Sequence, residues 1–484
     1  MSVPHPPDVL RTVLDGCASD ERAALIHRDA AGDLQRMTWK EVASAANRMA
    51  SDIRRHGFRA GDRLIHACGN TREGVIVALA SLRAGTIEVP LDPQSHAAQR
   101  ESQIRCVDGR WYEPSSPGRL ASFDIEPNHS PDAAAIILFT SGSTGQPRGV
   151  TLSRRNLFSN AAAKLAAVPQ SSADVRLTLL PLWHAYARTC DMMTWLLSRC
   201  TLAIGLGWDG LVSLGDEVSP TMMNTVPSLA SRLDQYAGDS RFLQTLRVLG
   251  CGGATMPPAV FQSYRSRGIT VIHGYGLTEM SPVVCSATPT NSRIGYVGTA
   301  VDGCQLKIDA QGQIVVRGSG VMRGYWNDPD ATRDKFINGW LQTGDCGELD
   351  AEDHQVKICG RMDDRITLSN GLKFFPEPIE HVLASLPGVR HALLVPGERH
   401  VDLFVEFDSP VRSTEQGYVD FDEALASIPR WQRPRSIRTA TFSNQSHLFT
   451  PKGTLRRRAA IAAVSMSVEG KTPVQPSADI RSER

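Results

Sequence analysis

The chain has 484 residues, is 41% hydrophobic and carries a net charge of +1, which allows more than one domain with sizeable cores. That balance excludes the strong charge bias that drives binding to nucleic acid or anionic membranes, and no apolar run is long enough to cross a bilayer. Ten cysteines are scattered without a C-x-x-C pair, which predicts reduced, mostly buried thiols and argues against a metal site.

Residues 1–7 show no charged segment followed by an apolar one, so the expectation is a cytoplasmic protein without a secretory signal. Peripheral membrane contact through a substrate stays open. Residues 24–27 and 35–38 flank the turn-rich Asp29-Ala30-Ala31-Gly32-Asp33 and predict a hairpin. Val42, Ala45, Ala46, Met49 and Ile53 fall at helical spacing within Trp39–Arg55. A strand over Arg63–Ala67, a helix over 73–84 and a strand over 87–91 follow. Strands alternating with helices predict a parallel, layered α/β body. Residues 94–131 are polar and weakly patterned and read as a connection.

An apolar run of strand length, 133–139, then ends in Thr140-Ser141-Gly142-Ser143-Thr144-Gly145-Gln146-Pro147-Arg148-Gly149. Glycines let the backbone approach a ligand closely, and hydroxyls, N–H groups and the Arg148 charge suit phosphate oxygens. An ordinary surface turn needs neither so many hydroxyls nor a strand feeding it. The spacing is neither that of a P-loop nor that of a dinucleotide fold. Ser153 is placed to cap a helix through 156–167, whose N-terminal dipole would add to the anion site.

Beyond it, a strand over 176–180 ends in Pro181-Leu182-Trp183-His184-Ala185-Tyr186-Ala187-Arg188. A lone histidine is more often structural than chemical, and Trp183 and Tyr186 read as apolar lining. A strand over 246–250 runs into Gly252, Gly253 and Ala254, where small residues permit close ligand approach. A strand over 270–273 delivers Gly274-Tyr275-Gly276-Leu277-Thr278-Glu279: a flat aromatic, a hydroxyl and a carboxylate at one strand end, where open α/β sheets bind ligands. Asp345, after Thr343-Gly344, offers two acceptor oxygens for two vicinal hydroxyls; taken alone it is an ordinary turn aspartate. Strands over 356–359, 366–368, 392–395 and Val401–Phe407 and a helix over 377–386 predict a small α+β unit.

These motifs together resemble the adenylate-forming superfamily of acyl-CoA synthetases, luciferase and peptide-synthetase adenylation domains. Its phosphate loop usually reads [ST]-S-G-[ST]-T-G-x-P-K-G; this chain matches with Arg148 in place of the lysine. The resemblance implies that Thr140, Ser141, Gly142, Ser143, Thr144, Gly145 and Arg148 hold ATP phosphates and that Gly253, Ala254, Tyr275 and Gly276 line the nucleotide. It further implies that Thr278 contacts the α-phosphate, Glu279 holds Mg²⁺, Asp345 and Arg361 reach the ribose, and Asp363 is a hinge. His184 would form a wall of the acyl site. The family's catalytic lysine falls near Thr450-Pro451-Lys452-Gly453-Thr454: strict register puts Thr454 there, and Lys452, two residues earlier on the same face of an extended segment, takes the role. The arginines 456–458 read as a solvated basic face, with CoA phosphates as the alternative.

The implied architecture is a large N-terminal α/β body with a β-rich subdomain (1–360), a small mobile α+β lid (361–464) and a disordered tail (465–484). The implied activity is ATP- and Mg²⁺-dependent conversion of a carboxylic acid to acyl-AMP, then thioester formation with CoA. The Leu-Pro-Leu-x-His-Ala-x-x-Arg wording resembles long-chain enzymes and predicts a fatty acid. Two alternatives stay open: an acyl-AMP ligase or acyl-carrier-protein synthetase, with a phosphopantetheinyl carrier as acceptor, and a non-catalytic adenylate- or acyl-binding protein. Aryl or amino-acid adenylation ranks lower, because no acidic residue for an amino-group pocket is visible.

Overall fold

The computed structural model describes residues 10, 13–114, 130–141, 147–236, 240–369, 371–384, 386–397, 400–408, 421–426, 428–445, 448–449 and 455–468, the side chains of 141, 422 and 466–468 apart. The chain divides into two compact units, Met1–Thr343 with Glu348–Ile358, and Gly344–Gly347 with Cys359–Arg484.

The first unit is layered α/β. Its nine-stranded sheet runs in the order Thr299–Ala300, Val283–Ser286, Thr270–Gly276, Val248–Cys251, Met222–Thr225, Val175–Thr178, Thr201–Ile204, Ala23–Arg28, Leu34–Thr38. The strands from Thr270–Gly276 to Ala23–Arg28 are mutually parallel and both edges are antiparallel. Their carboxyl ends therefore share one side, the side on which such sheets bind ligands. A six-stranded sheet runs Gly324–Tyr325, Pro147–Ser153, Ala134–Ser141, Ile87–Leu91, Arg63–Ala67, Arg110–Trp111.

Local chemistry sets the helices that cover these sheets. Trp39–Arg55 starts at a capping box: Thr38 Oγ1 accepts from Glu41 N (3.2 Å), and Glu41 Oε2 accepts from Thr38 N (2.7 Å). Its first residue, Trp39, is wholly buried and stacks on Trp195 at 4.8 Å, and Trp195 Nε1 donates to Ala24 O at 2.8 Å. All ten cysteines are free thiols and seven are buried. No helix among the described residues is long and apolar enough to cross a membrane.

The second unit holds an antiparallel pair, Val389–Pro396 with Val401–Phe407, to which Ser436–Thr439 adds in parallel. The helix Glu377–Ala384 packs Ile379 and Leu383 into a core with Ile366, Leu394 and Leu403.

Several elements differ from the sequence expectation. The capped helix is Arg154–Ala167, but the strand Pro147–Ser153 stands between it and the phosphate loop. The supposed connection 94–131 contains the helix Ala97–Val107 and the strand Arg110–Trp111. The helix Arg457–Val468 runs past residue 465, where a tail was expected. Arg457 is not part of a solvated face: its guanidinium, 12% exposed, pairs with Glu380 and donates to Leu394 O.

Candidate active site

The phosphate stretch is flanked by two paired strands. Ala134–Ser141 and Pro147–Ser153 are antiparallel, with Thr140 opposite Arg148 and Ser141 opposite Pro147. Thr140 and Arg148 are half-buried; Gly142, Ser143, Thr144 and Gly145 lie outside the described residues. Gly149 is required here, because a Cβ would come within 2.8 Å of Ile137 Cγ2. The short strand Gly324–Tyr325 pairs with the outer edge of this hairpin, Tyr325 opposite Val150.

Tyr325 links the hairpin to the second motif. The Arg148 guanidinium lies over its ring, 5.4 Å from the centroid. The phenol donates to Glu279 Oε1 at 2.7 Å, and Met322 N, three residues before it, donates to Glu279 O at 2.8 Å. Burial, then the Glu279 charge and hydrogen bond, push the Tyr325 phenol well above its ordinary range. It thus stays protonated and donates. Its contact with Glu279, 46 residues away, has no local signal in the sequence.

The strand Thr270–Gly276 carries Tyr275 to the carboxyl edge of the large sheet, half-buried, and a 3₁₀ turn, Thr278–Met280, presents Thr278 and Glu279. Gly276 accepts no side chain: a Cβ would sit 2.1 Å from Pro282 O. One strand over, Gly253 (φ +87°) and Ala254 are exposed after Val248–Cys251. The structure therefore gathers Thr140, Arg148, Tyr275, Gly276, Thr278 and Glu279 in one unit, the Arg148 and Glu279 side chains meeting on Tyr325. Glu279 is 9% exposed and hydrogen-bonded at Oε1. A buried, oriented carboxylate of this kind fits a magnesium ion, which takes one or two carboxylates plus phosphate oxygens.

His184 sits half-buried at the start of the short helix Ala185–Ala187, its ring 6.0 Å from that of Trp183. Asn70, which sequence reasoning missed, grips this turn: its Nδ2 donates to Leu180 O (2.9 Å) and Gly205 O (2.7 Å), and its Oδ1 accepts from Leu182 N (2.9 Å). Arg188 is a support. It is 2% exposed and donates to Leu182 O (3.0 Å) and to Glu88 (2.8 Å), which also contacts His66 at 2.9 Å. Burial works to raise the Glu88 carboxyl, but Arg188 and His66 outweigh it and hold it below its ordinary value. His66, Cys68 and Glu88 are the one cluster with metal-ligand spacing among the described residues. The Arg188 guanidinium, 3.5 Å from Cys68 Sγ and bonded to Glu88, holds the place of a cation there.

In the second unit Asp345, 8% exposed, pairs with Arg361 Nη1 at 3.2 Å. Gly344 (φ +80°) and Asp345 lie within the strand Trp340–Leu349, so Asp345 is not a turn aspartate. Asp363 lies in the 3₁₀ turn Met362–Asp364 and contacts Arg458 at 3.5 Å. Lys452 lies outside the described residues.

Comparison with known proteins identifies the family and the fold. The family model described as "AMP-binding enzyme" matches residues 17–110 and 107–326. The feruloyl-CoA synthase of an Amycolatopsis species is 28% identical over 82% of this chain and 87% of its own. The 2-succinylbenzoate–CoA ligase of Bacillus subtilis (strain 168) is 28% identical over 77% and 81%. The solved B. subtilis O-succinylbenzoate coenzyme A synthetase with AMP superposes with a TM-score of 0.80 at 24% identity, covering 93% of this chain and 97% of that one. With ATP and a magnesium ion the figures are 0.78, 22%, 92% and 98%. The chain belongs to the AMP-binding enzyme family. It is an adenylate-forming enzyme of the acid–CoA ligase class, ATP-dependent and AMP-forming.

Proposed function

We propose that the protein joins a carboxylic acid to CoA through an acyl-adenylate. A carboxylate oxygen attacks the α-phosphorus of ATP, the bond to the β-phosphate bridge oxygen breaks, and pyrophosphate leaves. The CoA thiol then attacks the acyl carbon, loses its proton and displaces AMP. The barrier to the first step is charge: an anion approaches a polyanion. The stretch Thr140–Arg148 supplies phosphate donors, and Thr278 reaches the α-phosphate. Tyr325 orients Glu279 and Arg148 together at the phosphates, and this one contact carries the reading. Magnesium, when bound at Glu279, neutralises phosphate charge. Tyr275 with Gly276, Gly253 and Ala254 lines the adenine, and Asp345 and Arg361 hold the ribose. Lys452 meets the carboxylate. Residues 361–464 act as a lid pivoting at Asp363, one orientation for each half-reaction.

For the acid, the names of the matched relatives, feruloyl-CoA synthase and 2-succinylbenzoate–CoA ligase, favour an aryl acid over the fatty acid suggested by the Leu-Pro-Leu wording. The motif's Arg188 gives no support to a fatty acid, since it anchors the fold. CoA as acceptor has the same support; a carrier protein remains the rival acceptor.

The test is exchange of labelled pyrophosphate into ATP across aryl and aliphatic acids, followed by thioester assays with CoA and with a holo-carrier protein. Aryl acids should drive exchange and CoA should accept. Lys452→Ala should slow exchange about 10²-fold or more, the scale of losing a charge-stabilising group. Exchange at the wild-type rate in that variant would remove Lys452 from the mechanism. ATP binding without exchange for any acid would make the protein a binding protein instead.

A further inference from the structure

In the second unit the strand Val389–Pro396 is an edge strand: among the described residues it pairs on one side only, with Val401–Phe407. Leu394 turns an N–H and a C=O to the free side, where burial makes unpaired groups costly. One ion pair satisfies both. Glu380 Oε1, on the helix Glu377–Ala384, accepts from Leu394 N at 2.6 Å. The Arg457 guanidinium, on the first residue of the helix Arg457–Val468, donates to Leu394 O and to the same Glu380 oxygen. Both side chains are nearly buried.

The pair also joins the two faces of this sheet. The helix Glu377–Ala384 packs on the face of Leu394 and Leu403. The helix Arg457–Val468 packs Ala460 and Val464 on the opposite face, against Leu393 and Phe404. Glu380 and Arg457 therefore meet around the sheet edge and set where the second helix begins.

The stretch ahead of that helix is pinned at both flanks. Phe449 and Leu455 form an isolated antiparallel bridge, and Arg456 N donates to Leu448 O at 2.6 Å. Leu448, wholly buried, belongs to the cluster of Leu393 and Phe404. Residues 450–454 lie outside the described residues. In sequence Lys452 is their midpoint, three residues from each bridged residue, whereas Thr454 adjoins Leu455. The leading flank is held by apolar packing. The trailing flank, Leu455-Arg456, is held by its neighbour Arg457.

We propose that Arg457 is a positioning residue: fastened to the sheet edge by Glu380, it fixes the trailing flank of the lysine-bearing stretch and so places the ammonium for adenylation. This rests on the ligase reading above, in which Lys452 offsets the repulsion between carboxylate and ATP. Only the first half-reaction brings an anion to a polyanion; thiol attack on the acyl-adenylate does not call on the lysine. Glu380→Gln keeps an acceptor for Leu394 N but leaves buried Arg457 without its counter-charge, which loosens the flank.

The experiment measures kcat and KM for pyrophosphate exchange with the aryl acid that wild type uses fastest, and the rate of CoA thioester formation from that acid's chemically prepared adenylate. The variants are Glu380→Gln and Arg457→Lys, each alone and combined with Lys452→Ala. Glu380→Gln should lower kcat for exchange roughly 10- to 100-fold, the scale of a small misplacement, with KM for ATP and acid near wild type and transfer from the adenylate within about twofold. Arg457→Lys keeps the charge without the fork and should fall less. In the Lys452→Ala background neither change should cost more. Equal losses in both half-reactions, undiminished exchange in folded Glu380→Gln, or losses that add to that of Lys452→Ala overturn the proposal and leave the ligase reading standing. If Glu380→Gln does not melt cooperatively, Arg457→Lys decides on the same readouts. Wild-type exchange rates in Lys452→Ala remove the lysine that the clamp serves, and the proposal with it; wild-type protein that exchanges with no acid fails the ligase reading itself.

Discussion

Tyr325 shows how much a single side chain can organise. Its hydroxyl fixes Glu279, and its ring carries Arg148 where a lysine is usual in the family. Arginine's planar fork stacks on an aromatic face and lysine's point charge does so less well. Tyr325→Phe removes a hydrogen bond to a charged group, worth about 1.5–3 kcal/mol. The expected result is a roughly 10- to 150-fold fall in pyrophosphate exchange and weaker Mn²⁺ binding to the ATP-loaded protein, read by paramagnetic resonance. Unchanged Mn²⁺ binding would separate Tyr325 from Glu279. Glu88 acts on stability. Its folded carboxyl lies below the ordinary 4.5, so its contribution is present above that pH and is lost as pH falls through the folded value. Glu88→Gln strands buried Arg188 and should cost about 3–5 kcal/mol. Thermal melts from about pH 6 to about pH 3 should also show a shallower acid limb in the variant; an unchanged melting temperature would contradict this assignment.

Elements were legible where local chemistry alone specifies them. The helix Trp39–Arg55 has both a cap and a clean apolar stripe, and Thr38→Ala should lower stability by about 1 kcal/mol in denaturant titration. A variant as stable as wild type would mean the box is not formed in solution. The helix Ala97–Val107 was missed because its buried residues, Gln103 and Val107, leave little apolar pattern to detect. The strand Pro147–Ser153 was missed because the phosphate motif runs straight into it and Ser153 announces the next helix. Arg457 read as solvent-facing because its partner Glu380 is 77 residues distant. Of the site, the glycine- and hydroxyl-rich turns were visible as motifs. The links between them, Tyr325 and Asn70, were not, since each joins segments far apart in the chain.

At the scale of the whole molecule, the parallel sheet gathers its strand ends on one side and the second unit brings Asp345 and Arg361 together. The acid class was the least legible feature. The motif that suggested a long chain includes Arg188, whose partners Glu88 and Leu182 O show it bracing the fold. The central claim is that Thr140–Arg148 and Tyr275–Glu279 act together on ATP's α-phosphate to make an acyl-adenylate. Acid-dependent exchange of labelled pyrophosphate into ATP measures that step alone. Exchange with aryl acids, dependent on divalent cation and depressed in Tyr325→Phe, is the expected result; ATP-binding protein that exchanges no label with any carboxylic acid would contradict it.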